Sequence, residues 1–482
     1  MINLNGQSSP LQSSNASGSE WPAVAPDAGA DGQTITQRFQ LLMVSGLYLA
    51  VLLWAYAAIV SPAFAYDGMT LAWPGIMAMI WLIVLALLPS LLLPYSLSRP
   101  SAVILWWLYL STYIPSILIP ALSLSMPFEQ LLPLHISLLV CMGILCWAGI
   151  SRPLHSGTTT LSPTLFWLVF SLVWLGCLGY IGLNGRVALM VQNLASLFKG
   201  ANEYTLRSEF RTLVEENGRG LAYALDELAS ALNPFLIAFG MAYRRKLCWI
   251  AGILGQIVVF GLTGFKTAIV SILFLGVVAL FERRWRRSFG MAVAGGLIVA
   301  ILFCAAADHV FGGVYFSSLL TRRTLLVPGL CTGFYFEHYS HVGPVGLGLH
   351  FSHNPTALTP PNEIGFVYFG SANTNANANL WGEGFAELGL PGILAFTLFT
   401  AFGIWIYDSL AAKRDLVMAA LLAAMPAVVL SNTSPTTALV SHGGLVVALL
   451  LYFAPLPQPT QAFERVIERE ESPSLSAAGA PV

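Results

Sequence analysis

The stretch FQLLMVSGLYLAVLLWAYAAIVSPAF (39–64) runs for 26 residues without an Asp, Glu, Lys or Arg. A helix crosses the roughly 30 Å hydrocarbon layer of a membrane in about 20 residues. This segment is therefore long enough to span. Comparable segments follow at 71–95, 101–122, 131–150, 162–184, 221–243, 247–263, 266–281, 289–308, 384–407, 415–433 and 436–455. Only 9% of the 482 residues are charged and 56% are apolar, whereas a soluble domain carries about 25% charged residues. The pattern predicts an all-α polytopic membrane protein with about twelve transmembrane helices.

Charge then assigns sides. Short loops rich in Lys and Arg face the cytoplasm. Alternate connections carry Arg99; Arg152; Arg244, Arg245 and Lys246; Arg283, Arg284, Arg286 and Arg287; and Lys413 and Arg414. The opposite short connections carry only Lys266. This alternation predicts cytoplasmic termini and two long extracytoplasmic loops. The chain divides into a disordered cytoplasmic tail (1–38), spans one to five (39–184), a first outer loop (185–220), spans six to nine (221–308), a second outer loop (309–383), spans ten to twelve (384–455) and a second disordered tail (456–482). Both tails are rich in small and polar residues, a composition that does not build a core. No internal repeat is visible, which argues against a secondary transporter.

Some classes are disfavoured by composition. The net charge of −1 and the absence of a basic domain give no support to nucleic-acid binding. Five of the six cysteines lie within or beside apolar runs, where a thiol behaves as a small hydrophobe. No Cys/His spacing fits a metal site, and none is assigned.

Chemistry-bearing residues concentrate in the outer loops. Arg207 and Arg211 are four apart, so a helix would place them on one face. Two guanidinium forks suit a diphosphate. Glu203 with Arg207, and Arg211 with Glu215, could equally make local ion pairs on a solvated helix. Arg322 and Arg323 open the second outer loop, followed by His338, His341, His350 and His353. Histidine can serve as base or ligand, or simply be exposed. Asn373, Asn375, Asn377 and Asn379 alternate with small residues. Their amides suit sugar hydroxyls, and equally suit a turn and a helix cap. Glu383 and Glu387 sit one turn apart at the outer start of span ten. The helix dipole favours carboxylates there, yet at the membrane surface they need a cavity or partner. Lys266 lies at the outer end of span seven, Asp226 and Glu227 lie within span six, and His442 lies within span twelve. His135 reads as a buried polar residue.

These residues resemble a family. NTNANANLWGEGFAELGLPGILAFTLFTAFGIWIYD (373–408) is similar to the late signature of Wzy-type O-antigen and exopolysaccharide polymerases, which join oligosaccharide repeat units. LTGFKTAIVS (262–271) resembles a turn between two of their middle spans. YTLRSEFR (204–211) and RRTLLVPG (322–329) resemble their basic outer-loop motifs. The likeness covers about residues 185–410 and rests on motif order and topology.

The resemblance implies a GT-C-like fold in the bacterial inner membrane and a metal-independent, inverting glycosyl transfer without a cofactor. The donor is a growing glycan on undecaprenyl diphosphate, and the acceptor is one lipid-linked repeat unit. The acceptor hydroxyl attacks the anomeric carbon and lipid diphosphate leaves. In this scheme Arg207, Arg211 and at least one of Arg322 and Arg323 meet the diphosphate, and His338 or Glu387 takes the hydroxyl proton. Lys266, Asn377, Asn379 and Glu383 line the substrate side. The partners implied are the bilayer, the lipid-linked glycans and a polysaccharide chain-length regulator. The alternatives are an O-antigen ligase, which shares the layout, and a transporter or lipid-linked glycan flippase.

Overall fold

The structure is a computed structural model that describes residues 33–124, 126–154, 161–199, 203–347 and 358–455. Among these residues every regular element is helical. In chain order they are α1 (Ile35–Asp67), α2 (Ile76–Leu91), α3 (Ser101–Ser123), α4 (Phe128–Ile150) and α5 (Pro163–Asn184). Next come α6 (Val187–Lys199), α7 (Glu203–Asn217), α8 (219–242), α9 (Lys246–Thr263), α10 (Lys266–Trp285) and α11 (Phe289–Phe311). Then follow α12 (Val327–Val342), α13 (Pro360–Phe369), α14 (Leu380–Leu388), α15 (Leu390–Ala411), α16 (Leu416–Leu430), α17 (Pro435–Val440) and α18 (Gly444–Phe453).

Seven helical runs are long and apolar enough to cross a membrane, and α2, α16 and α18 are shorter apolar helices. The chain is thus a polytopic membrane protein by length and composition. The count falls below twelve for local reasons. α8 carries Asp226 and Glu227. The last expected span is broken at 441–443 into α17 and α18, where Gly443 has φ +76°. The expected spans eight and nine form one apolar run, Lys266–Phe311. Trp285 and Ser288 leave helical geometry in the middle of it. The Phe281 ring lies against Gly296, so α10 and α11 fold back on each other.

α3 is the centre of the bundle. Its residues from Ser101 to Pro120 are all buried. Tyr109 donates to the Ala86 carbonyl at 3.0 Å and Tyr113 to the Leu85 carbonyl at 2.8 Å. A phenol inside an apolar bundle needs such a partner. α5 lies at the other extreme. It is apolar on all sides and mostly exposed, as a lipid-facing helix is.

Loops of like charge gather at the same end. The Leu97 amide donates to the Arg286 carbonyl, and Arg283 Nη2 donates to the Met241 carbonyl at 3.1 Å. Arg99 binds the Gly149 and Ser151 carbonyls. At the opposite end Thr70 Oγ1 donates to the Ser123 carbonyl at 2.8 Å, Lys266 Nζ donates to Tyr315 Oη at 3.1 Å, and Arg211 Nη2 donates to the Asn373 carbonyl at 3.3 Å. The two long loops therefore meet at the end away from the basic connections.

Three expectations need correction. The first helix begins at Ile35 rather than 39, because Thr34 and Gln37 form a reciprocal capping box. The other tail residues lie outside the described ones. The second outer loop is largely helical. A π-helical segment, Ser318–Leu326, leads directly into α12. α12 packs on the outer half of α3, where Gly329 meets the Pro115 backbone and Gly333 meets Pro120. Only small residues allow helices this close.

The third correction concerns the expected span ten, which divides. Gly389, at φ +69°, ends α14, and α15 starts at Leu390. Glu383 and Glu387 belong to α14, a separate short helix folded against α15. Its Gly384 and Gly392 stack backbone to backbone, so that a Cβ on Gly392 would sit 1.9 Å from the Gly384 carbonyl oxygen. Gly392→Ala is expected to destabilise the protein by about 1–3 kcal/mol through overpacking. A thermal melt of the purified protein, compared with Gly403→Ala on the open side of the same helix, checks this.

Candidate functional site

The end of the bundle that holds both long loops carries a linked set of polar side chains. α12 presents Tyr335, His338 and Tyr339. α13 is pinned to it by the Phe334–Tyr368 ring stack, with centroids 4.0 Å apart, and by Tyr368 Oη donating to Glu337 Oε2 at 2.8 Å. This delivers Glu363. One of its oxygens lies 3.1 Å from His338 Nε2 and the other accepts from Tyr339 Oη at 2.9 Å. From α14, Glu383 Oε1 accepts from Tyr335 Oη at 3.3 Å. Burial first, then the Glu363 carboxylate, pushes the Tyr339 phenol above its ordinary value. Tyr339 therefore acts as a neutral donor.

The two hydrogen-bonded groups meet where the Tyr335 and Tyr339 rings lie with centroids 5.8 Å apart, which brings together His338 and Glu383, singled out by sequence, and three residues that were not: Tyr335, Tyr339 and Glu363. The two tyrosines were legible in principle, since they stand four apart in FYFEHYSH (334–341) and share a helix face. Glu363 was not legible, because it lies 25 residues from His338 and no local pattern marks it.

Glu363 can fix the tautomer of His338. With Nε2–H donated to the carboxylate, the imidazole lone pair sits on Nδ1. The His338 side chain is 13% exposed. Glu387, one turn beyond Glu383, is 1% exposed, and both its carboxylate oxygens are shielded from solvent. In this arrangement His338 is accessible to a ligand and Glu387 is enclosed.

The arginines lie on different elements. Arg322 Nη1 pairs with Asp67 Oδ2 at 2.6 Å, its Nε donates to Ser318, and its guanidinium lies 4.1 Å from the Phe64 ring centroid. Arg323 is exposed. Arg211 is exposed and reaches the Asn373 carbonyl in the segment after α13. Arg207 is one turn earlier on α7, as its spacing predicted, and its side chain lies outside the described residues. Lys266 is half-buried beside Tyr315.

The asparagines divide into two groups. Asn377 is exposed. Asn379 is fully buried and committed to the fold. Its Oδ1 caps α14 through the Trp381 and Gly382 amides, and its Nδ2 donates to Thr332 Oγ1 at 2.7 Å and the Pro328 carbonyl at 3.1 Å. Asn379→Ala is expected to cost about 1–3 kcal/mol in stability, since it removes a cap and leaves buried groups without partners. Asn377→Ala is expected to leave the melting temperature unchanged, so any loss of activity there reports ligand contact.

His341 is exposed, while His350 and His353 lie outside the described residues. His135 is fully buried in α4. Asp226 Oδ2 and His442 Nδ1 approach to 3.9 Å between α8 and the α17–α18 break. Among the described residues no group of three or more His, Cys, Asp or Glu could hold a metal ion.

Comparison with family models, curated proteins and solved structures gives no match. The reading of the site therefore rests on its own geometry. That geometry offers an imidazole held by a carboxylate, hydroxyl donors beside it, and guanidinium groups from both long loops at the same end of the bundle.

Proposed function

We propose that this protein joins oligosaccharide repeat units carried on undecaprenyl diphosphate into a long surface polysaccharide, at the outer face of a bacterial inner membrane. The observation that carries the reading is the His338–Glu363 pair at the arginine-bearing end, opposite the basic short loops. Glycosyl transfer from a lipid diphosphate needs two things at one place. A developing diphosphate anion needs cationic donors, and a sugar hydroxyl needs somewhere to send its proton.

In this reading His338 Nδ1 receives the proton of the acceptor hydroxyl as its oxygen bonds to the anomeric carbon. The anomeric C–O bond breaks, and its electrons leave on the diphosphate. Arg211 and Arg323, with Arg207, meet that charge. Arg322 is held by Asp67 and positions the helix that carries Arg323. The exposed Asn377 contacts sugar hydroxyls. Glu383 and Glu387 back the acceptor side through Tyr335 and the α14 fold. A chain-length regulator is the protein partner the reading implies.

The test uses purified protein and undecaprenyl-diphosphate-linked repeat units, read as a ladder on a glycan gel. A polymerase makes the ladder. Transfer only to a lipid A core acceptor, without a ladder, would make the protein a ligase. Translocation of labelled lipid-linked glycan across vesicles, without new glycosidic bonds, would make it a flippase.

A further inference from the structure

At the end opposite the candidate site, two short loops meet. One is Tyr243–Arg244–Arg245 with Lys246, between α8 and α9. The other is the α10–α11 turn. Arg283 Nη2 caps the end of α8 by donating to the Met241 carbonyl at 3.1 Å, which draws the loops together. Arg286 is also committed to the fold, through the Leu97 carbonyl and Glu282. Five exposed cations remain: Arg244, Arg245, Lys246, Arg284 and Arg287. Among the described residues their side chains make no hydrogen bond or ion pair within the protein.

Arg244 is the informative one. The Arg245 amide reaches back to donate to the Gly240 carbonyl, the six-to-one bond by which a left-handed residue closes a helix end. This puts Arg244 at φ +54°, the only non-glycine residue with positive φ among those described. Glycine ordinarily fills that position, because a Cβ there is strained. Membrane orientation needs positive charge in the loop, but it does not need an arginine at the one strained site. The same loops expose apolar surface, with Leu247 84% and Trp285 42% exposed. A soluble anion has no use for these groups, whereas the glycerol and acyl region of a lipid does.

We infer that the two loops form a binding site for an anionic phospholipid of the adjacent leaflet, its phosphate held by Arg244, Arg245, Lys246, Arg284 and Arg287 and its glycerol region against Trp285 and Leu247. The inference does not depend on the reaction proposed above.

The experiment adds cardiolipin to the full-length protein in an uncharged detergent. Bound lipid is counted by native mass spectrometry, and melting is followed in parallel. Wild type is expected to retain cardiolipin and melt higher with it. Each cation near an anionic surface is worth about fivefold in binding, so Arg284→Gln with Arg287→Gln is expected to weaken binding roughly thirtyfold. The paired Arg→Lys variant keeps the charge and is expected to retain most of the binding. Arg244→Gly is expected to melt above wild type without lipid, because strain is relieved, and to gain less when cardiolipin is added.

Equal cardiolipin affinity in wild type and the double Gln variant would overturn the site. So would an equal melting shift from inorganic phosphate alone, which would make it a soluble-anion site. A lower melting temperature for Arg244→Gly without lipid would remove the argument from strain.

Discussion

Removing the Arg207 and Arg211 guanidinium groups together is expected to cut polymer formation about a hundredfold. One hydrogen bond to a charged group contributes about 1.5–3 kcal/mol, and each 1.4 kcal/mol is about a factor of ten in rate. The two residues stand one turn apart on α7, so a single diphosphate can meet both. Arg211 also touches the Asn373 carbonyl, so its loss loosens the contact between the two long loops. Lysine is expected to rescue poorly, because its single ammonium lacks the planar fork. The assay is ladder length and initial rate on purified protein, with insertion checked by a melt. Wild-type polymer from the double alanine variant would leave the arginines without a role in the transfer.

His338→Ala is expected to have the other large effect, about 10²–10⁴-fold in rate, the range for losing a general base. Glu363→Gln keeps the shape of the pair but removes its anion, and a drop of about tenfold is expected in the same assay. Its signature is a pH–rate profile shifted relative to wild type, which a purely structural defect would not produce. Glu387→Gln is expected to change the rate little, since its oxygens are enclosed within α14 and its packing partners. If Glu387→Gln proves more damaging than His338→Ala, the base is Glu387 and α14 must open during the reaction. If both variants keep full rate, the proton needs no protein base and the arginines carry the chemistry.

How much of the site was legible follows from the range of the forces involved. Arg207 and Arg211 were paired from spacing alone, because a helix repeats every 3.6 residues. Arg322 reads from the sequence as a cation for the diphosphate, and the structure gives it Asp67 as a partner, 255 residues away in sequence. Glu383 and Glu387 read as the first turn of a span, because LWGEGFAELGLPGILAF (380–396) has no charge beyond them and a continuous apolar trend. The backbone contact of Gly384 with Gly392 is invisible as a pattern and visible only as a fold. Asn379 looked like one more sugar-binding amide in an Asn-rich run, whereas its environment makes it the cap of α14.

The sequence by itself determined that this chain lives in a membrane, roughly where its helices run and which loops share an end. Those properties follow from the cost of placing charge and bare peptide groups in hydrocarbon, a cost paid residue by residue and so written locally. Tertiary structure alone decided that the second long loop folds down against α3. It also decided that α14 separates from α15, and that His338 meets Glu363 while Tyr335 meets Glu383. The loop and side-chain contacts join segments distant in the chain, and the turn between α14 and α15 is fixed by the packing of Gly384 on Gly392. They depend on which small residues let backbones approach and which buried polar groups find partners, and neither is fixed until the helices have packed.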